Sequence, residues 1–241
     1  MEDDRLTQQY KGHEGHAKMR AASNRPNNKV QHVIIIFKEN HCFDNYFGTF
    51  PGVNGATMNS AENPPPHDYL HTHRAWLERE AKAPRLQYNE KDIPAYFAYA
   101  KQFTLCDNYF TDVAGPSTPN HLMVITADSP IIDNPPRAQG NPSYNLHSLP
   151  ISLENAGLSW GNYGGYAFKD IQELKGKRNF TSEKFKEDVV SGSLPSVSWV
   201  FAPGGLSEHP VEDITAGMQW TVEQVNAIVQ GGLFIVLTWR L

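Results

Sequence analysis

The first 29 positions are predominantly polar, and the first sustained apolar run is Val33-Ile34-Ile35-Ile36-Phe37. A continuous β-branched run of this kind predicts a strand buried on both faces. It breaks off abruptly into Lys38-Glu39-Asn40-His41, so a polar group is expected at the strand's C-terminal end. In open α/β sheets ligands bind along that edge. Residues 1–29 lack apolar periodicity and are rich in charge, Gln, Asn and His, as in a flexible arm. The domain is expected over residues 30–241.

The rest of the chain alternates between short apolar runs and helical patterns. Residues 48–68 read as loop and His71 to Lys82 as helix. Asp92 is placed to cap a helix reaching about Lys101, with Pro94 in its first turn. Phe103-Thr104-Leu105 reads as a short strand. Gly115-Pro116-Ser117-Thr118-Pro119 reads as a tight turn opening a helix from Asn120 to Ala127. Residues 128–147 are Pro- and Asn-rich loop, and Ile151 to Ala156 is a short helix stopped at Gly157. Strands are expected at Ser159–Tyr163, Val197–Phe201 and Leu233–Trp239, and a helix at Thr221–Gln230. Strands alternating with helices imply an α/β sandwich around a largely parallel sheet.

Composition narrows the partners. The chain has 241 residues, enough for a sizeable core. It carries 21 Lys and Arg against 26 Asp and Glu, a net charge of −5. No basic excess exists to neutralise phosphates, which argues against nucleic acid or an anionic membrane as the main partner. The N-terminus has no apolar core of signal-peptide type, and no stretch is apolar over the 18 or so residues that a membrane span needs. The expectation is a cytoplasmic chain without a transmembrane segment. Two cysteines exclude a disulfide scaffold, and Cys42 and Cys106 read as small buried residues. Trp76, Trp160, Trp199 and Trp220 read as core or pocket wall.

Three groups of residues carry candidate chemistry. Glu39 and Asn40 offer hard oxygen ligands suited to a divalent cation. Taken alone, Glu39-Asn40-His41 is equally a loop whose polar side chains bond the backbone. Ser117 falls at a helix N-terminus, where free N–H groups and the helix dipole favour an anion such as phosphate. A serine hydroxyl needs a base or metal to become a nucleophile, and a plain N-cap serine is the alternative. His67, His71 and His73 cluster closely and His209 follows Glu208 in a Gly/Pro loop. Such histidines can contact phosphate, transfer protons, bind metal, or simply face solvent.

Together these motifs carry a resemblance. VQHVIIIFKENHCFDNYFGTFPGVNG resembles the opening signature of the bacterial phosphoesterase family. That family includes phosphatidylcholine-cleaving phospholipases C and a group of acid phosphatases, within the alkaline-phosphatase-like superfamily. DIPAYFAYAKQFTLCDNYFTDVAGPSTPNHL, GLSWGNYG, GSLPSVSWVFAPGGLSEHP and GMQWTVEQVNAI follow in the family's order, so the resemblance covers about residues 30–233. It implies a three-layer α/β sandwich of alkaline-phosphatase-like type. It implies that Glu39 and Asn40 bind a divalent metal ion, that Ser117 is the nucleophile and that His209 stands near the substrate phosphate. A further phosphate-contacting histidine is implied after the first signature, and His71 and His73 both fit. Asn120 belongs to the motif as a substrate-side residue. Ser117, Pro119 and His121 also resemble the sulfatase nucleophile turn, which favours Ser117 over Thr118.

The resemblance implies hydrolysis of a phosphate ester, lipid or small monoester, through a metal-assisted serine. A metal at the sheet edge would lower the pKa of the Ser117 hydroxyl, and a phosphoseryl intermediate would release to water. One departure stands against it. Relatives continue after the GMQW helix into an acidic segment of the type TWDDWGG or TYDEHGG. Here GGLFIVLTWRL puts Arg240 at the first acidic position. The expectation is therefore a fold incomplete at its C-terminus. Its competing reading is a catalytically inactive remnant, at most phosphate-binding. A third reading, an unrelated metal module built on His67–His73, would need metal binding that survives loss of Glu39 and Asn40. Cys42, where relatives often have Ser, is a minor change.

Overall fold

A computed structural model describes residues 30–79, 85–136, 140, 142–231 and 239–240. The expected arm over residues 1–29, the end of the His71–Lys82 helix and most of the Leu233–Trp239 strand lie outside the described residues.

The chain is α/β. Five parallel strands form the main sheet in the order β5-β4-β6-β1-β7, with β1 at Val33–Phe37, β4 at Trp160–Tyr163, β5 at Asn179–Phe180, β6 at Val197–Phe201 and β7 at Trp239–Arg240. Two further short strands pair apart from it, β2 at Asn59–Ser60, inside the stretch the sequence reads as loop, and β3 at Leu86–Gln87. β1 lies between β6 and β7, and Val33 to Phe37 run in register with Val197 to Phe201.

The apolar run of β1 serves both faces because side chains alternate across a strand. Ile34, Ile36, Val200 and Tyr163 face one core with Phe185 and Val189 of helix α6 (Ser182–Val190) and Val225 and Ile228 of helix α7 (Ile214–Gln230). Ile35, Phe37, Trp199, Phe201 and Trp160 face the other. There they meet Leu122 and Ile125 of α4 (Ser117–Thr126), Ile151 and Leu153 of α5 (Leu149–Asn155), and 3-10 turns at Ala167–Asp170 and Gln172–Leu174. Helices cover both faces, which is the three-layer arrangement expected. A third cluster joins α1 (Phe43–Phe47), α3 (Pro94–Gln102) and the start of α7 through Tyr46, Phe47, Tyr96, Phe97, Ile214 and Met218. The remaining helix, α2, spans His73–Arg79.

Several local expectations change. Phe103-Thr104-Leu105 forms no strand; Phe103 is exposed, so nothing supplies the packed face on which β-propensity depends. Asp92 does not cap α3. Ile93 holds that position, and the Asp92 carboxylate accepts from the Asn89 N–H instead. Helix α4 starts at Ser117 itself, three residues earlier than expected. Helix α7 starts at Ile214, where the Asp213 carboxylate accepts from the N–H groups of Thr215 and Ala216. Both cysteines are exposed rather than buried. Trp160 and Trp199 are core, whereas Trp76 is exposed. Among the described residues no helix is long and apolar enough to cross a membrane.

Candidate active site

The four residues that leave β1 divide between two neighbours. Glu39 turns toward the N-terminus of α4. Ser117 Oγ donates to Glu39 Oε2 at 2.7 Å, and His121 Nε2 lies 2.9 Å from Glu39 Oε1. Ser117 and His121 stand one turn apart on α4, so their side chains share a face and meet one carboxylate together. The His121 ring rests against Phe37, Tyr166 and Phe201, the aromatic ends of the sheet and its covering turn. Burial pushes the Glu39 carboxyl up. The hydrogen bonds and charge of His121, the Ser117 hydroxyl and the charge of His209 outweigh it, and its pKa falls to about 2. With that value the carboxylate is ionised at neutral pH.

Asn40 sits in the left-handed region, φ 65°, which asparagine tolerates better than most residues. Its Nδ2 is buried and meets no hydrogen-bond partner among the described residues. An amide turned through 180° would offer its oxygen at the same point, since the two ends are alike in shape. Glu39, Asn40 and Ser117 therefore bring a carboxylate, an amide and a hydroxyl to one strand end, an oxygen donor set that fits a hard divalent cation.

Lys38 and His41 turn the other way, into the loop between β6 and α7. Lys38 Nζ lies 3.1 Å from Glu208 Oε1, with both side chains fully buried, and donates to the carbonyls of Leu206 and Gly217 at 2.8 and 3.0 Å. Glu208 also accepts from the hydroxyls of Tyr46 (2.6 Å) and Tyr96. Burial pushes both phenols well up, which keeps them as donors. Burial likewise pushes Glu208 up and Lys38 down, and each partner's charge opposes that shift. His41 Nε2 bonds the Glu208 carbonyl at 2.7 Å, and burial lowers its pKa to about 4. Gly217 lets α7 approach this cluster, since a Cβ there would meet Glu208 Cγ at 2.2 Å. The whole network clamps a residue with φ 66° immediately before His209.

Two implied phosphate-side residues come together. The His71 and His209 rings stand 5.6 Å apart, edge to face, with Asp68 Oδ1 2.7 Å from His71 Nε2 and Asp68 Oδ2 4.0 Å from His209 Nδ1. These three residues form a group able to hold a metal ion. His73 goes elsewhere. Its Nδ1 donates to the Ala114 carbonyl at 2.5 Å, and its N–H to Asp133 Oδ1 at 2.7 Å. Asn120 Oδ1 accepts from the Val113 N–H, and its Nδ2 donates to the carbonyls of Val113 and Pro116. The amide expected on the substrate side is thus engaged with the turn that carries Ser117. Thr118 is buried, with its hydroxyl against Tyr166. Of the two hydroxyls in the turn, Ser117's meets Glu39.

Residues 30–67 and 56–232 match the Phosphoesterase family. The chain belongs to that family. Among curated proteins it is 29% identical to a non-hemolytic phospholipase C of Pseudomonas aeruginosa, with 75% of this chain and 36% of that protein aligned. Phospholipase C B of Mycobacterium tuberculosis is 24% identical over 83% of this chain and 55% of its own length. Non-specific phospholipase C6 of Arabidopsis thaliana is 26% identical over 58% of this chain and 30% of its own length. The chain thus spans about a third to just over half of these phosphoesterase relatives. Two residues of the site are poorly marked in the sequence. His121 shows there only as part of a motif, although its i, i+4 spacing from Ser117 is a usable signal. Glu208 shows only as the neighbour of His209.

Proposed function

We propose that the site hydrolyses phosphate esters, with Ser117 as nucleophile. The observation that carries this reading is the Ser117 hydroxyl at the head of α4, hydrogen-bonded to a carboxylate at the C-terminal end of the central strand. Ser117 Oγ attacks phosphorus, the Oγ–P bond forms as the bond to the leaving oxygen breaks, and water then releases the phosphoryl group. The relatives named phospholipase C support a phospholipid ester as substrate.

Glu39 by itself is a weak base for this step. A carboxylate with a pKa of about 2 takes little of a proton from an alcohol. The acidity must come from elsewhere, and Glu39, Asn40 and Ser117 are the residues that would hold a divalent cation. Bound there, such an ion lowers the pKa of the serine hydroxyl and shields the charge of the substrate. His121 anchors the carboxylate on its other oxygen. His73 and Asn120 hold the 113–116 turn so that Ser117 keeps its place. His71 and His209 stand together on the substrate side, where imidazole N–H groups would stabilise the phosphoryl oxygens.

The test is nitrophenol release from p-nitrophenyl phosphate and p-nitrophenylphosphorylcholine by the 241-residue chain with Mg2+, Mn2+, Ca2+ or Zn2+. Release abolished by Ser117→Ala supports the reading. A folded chain that binds phosphate and releases nothing with any of these ions overturns it, in favour of a phosphate-binding remnant.

A further inference from the structure

We propose that an exposed apolar rim beside Ser117 is a docking surface for a zwitterionic lipid bilayer. Six large apolar side chains stand exposed on three segments that meet around the serine turn. They are Tyr69, Leu70, Trp76 and Leu77 before and on α2, Phe110 ahead of the 113–116 turn, and Ile132 beyond α4. Trp76 is 51% exposed, Leu77 61%, Phe110 76% and Ile132 56%. Single exposed apolar side chains are ordinary, but a group of this size around one site marks an interaction surface.

The segments are tied to one another. The His73 N–H donates to Asp133 and its Nδ1 to the Ala114 carbonyl. The Thr118 N–H donates to Asn134 Oδ1 at 2.9 Å, and a Cβ on Gly115 would meet the Ile132 carbonyl at 2.5 Å. Trp76 and Leu77 follow His73 by three and four residues, so they continue the helix face that His73 turns toward the serine turn. On that face a tryptophan and a leucine stay in solvent.

Residue type and charge select the occupant. Tryptophan and tyrosine favour the boundary between hydrocarbon and water, and Leu, Ile and Phe enter the acyl region beneath it. Residues 67–79, 106–116 and 131–134 together hold five Asp and Glu against two Arg, and Arg74 is paired with Glu78 at 2.9 Å. Anionic leaflets recruit proteins through clusters of Lys and Arg, and these segments carry no such cluster. An acidic, aromatic rim complements headgroups that end in a cation, as choline lipids do. A second copy of this chain would set the same carboxylates against one another, which disfavours self-association through the rim. The proposal rests on the phosphate-ester reading above for its purpose, since a lipid ester is presented at a surface and the rim sets Ser117 there. Docking itself requires no turnover.

The experiment is flotation of the 241-residue chain with vesicles of phosphatidylcholine and, separately, of phosphatidylserine. Binding to the choline vesicles should exceed binding to the serine vesicles. It should persist in Ser117→Ala, which separates docking from catalysis. Trp76→Ser/Leu77→Ser removes two embedded side chains and should weaken binding at least about tenfold, and Phe110→Ser should weaken it too. Val190→Ser, exposed at the end of α6, should leave it unchanged. All four positions lie on the surface, and circular dichroism checks that each variant is folded. In Trp76→Phe binding should remain, while quenching of tryptophan fluorescence by acyl-brominated lipid is largely lost. No binding of the folded chain to choline vesicles, a preference for serine vesicles, or equal loss in Val190→Ser and the rim variants overturns the docking surface. A dimer in sedimentation that Trp76→Ser/Leu77→Ser dissolves assigns the rim to a second copy and overturns it as well. Intact docking without hydrolysis of any phosphate ester refutes the catalytic reading alone and leaves the docking surface standing.

Discussion

Replacing Glu208 by Gln should be among the most damaging single changes available. The carboxylate and the Lys38 ammonium are 3.1 Å apart with no solvent exposure on either side chain. Coulomb's law at an effective dielectric of 20 gives about 5 kcal/mol for that separation. Desolvation opposes it, so the pair itself contributes much less. Removing one member is different, because the surviving charge stays buried. Such breaks cost about 3–5 kcal/mol. Lys38 would keep the carbonyls of Leu206 and Gly217 and the face of Trp220 but no anionic partner in contact, and one amide oxygen would replace two carboxylate oxygens for Tyr46 and Tyr96. For a chain of this size the loss corresponds to a drop of roughly 6–20 °C in Tm. Urea unfolding followed by tryptophan fluorescence suits the measurement, since Lys38 Nζ lies 4.9 Å from the centre of the Trp220 ring. The double variant Lys38→Met/Glu208→Gln should recover most of the loss, as replacing a whole buried pair is often close to neutral. A single variant that loses less than about 1 kcal/mol, or a double variant no better than the single, would mean that no stranded buried charge governs the loss.

Other consequences follow from neighbouring contacts. Gly217→Ala puts a Cβ 2.2 Å from Glu208 Cγ, and thermal unfolding should register a loss of about 1–3 kcal/mol; an unchanged midpoint would mean the two segments separate freely. His41 has a pKa of about 4 in the fold against 6.5 unfolded, so the unfolded chain binds the extra proton first. The contribution of His41 should be fully present above about pH 6.5 and lost as pH falls toward 4, and His41→Asn should flatten the urea midpoint over that window. Asn120→Ala removes three hydrogen bonds from the 113–116 turn and should lower stability by about 1–3 kcal/mol. It should lower kcat more than it raises KM if the turn positions Ser117; an unchanged kcat would assign the amide to stability alone.

Much of this architecture is legible in the amino-acid sequence. The run Val33–Phe37 announces a strand buried on both faces, and its sharp polar end marks the ligand edge. The proline-framed turn locates Ser117 at a helix start. What stays hidden depends on remote partners. Nothing local says that Glu208 is buried, because its burial is made by Lys38, Tyr46, Tyr96 and the gap at Gly217. The histidines are ambiguous for the same reason. His71 and His73 are alike in sequence, and only the fold sends one toward His209 and the other to the Ala114 carbonyl. The start of α7 is obscured by Gly217, which lowers helix propensity locally but is required by the packing beneath it. Phe103–Leu105 has strand composition and, among the described residues, no strand to pair with.

The proposed chemistry depends above all on attack of Ser117 at phosphorus. Mixing the metal-loaded chain with p-nitrophenyl phosphate, quenching in acid within the first turnovers and weighing the peptide that contains Ser117 tests that step. A fraction of the peptide should be heavier by one phosphoryl group, with the modification on Ser117 and absent in Ser117→Ala. Hydrolysis that proceeds with no phosphorylated Ser117, or with equal labelling in the variant, would contradict it.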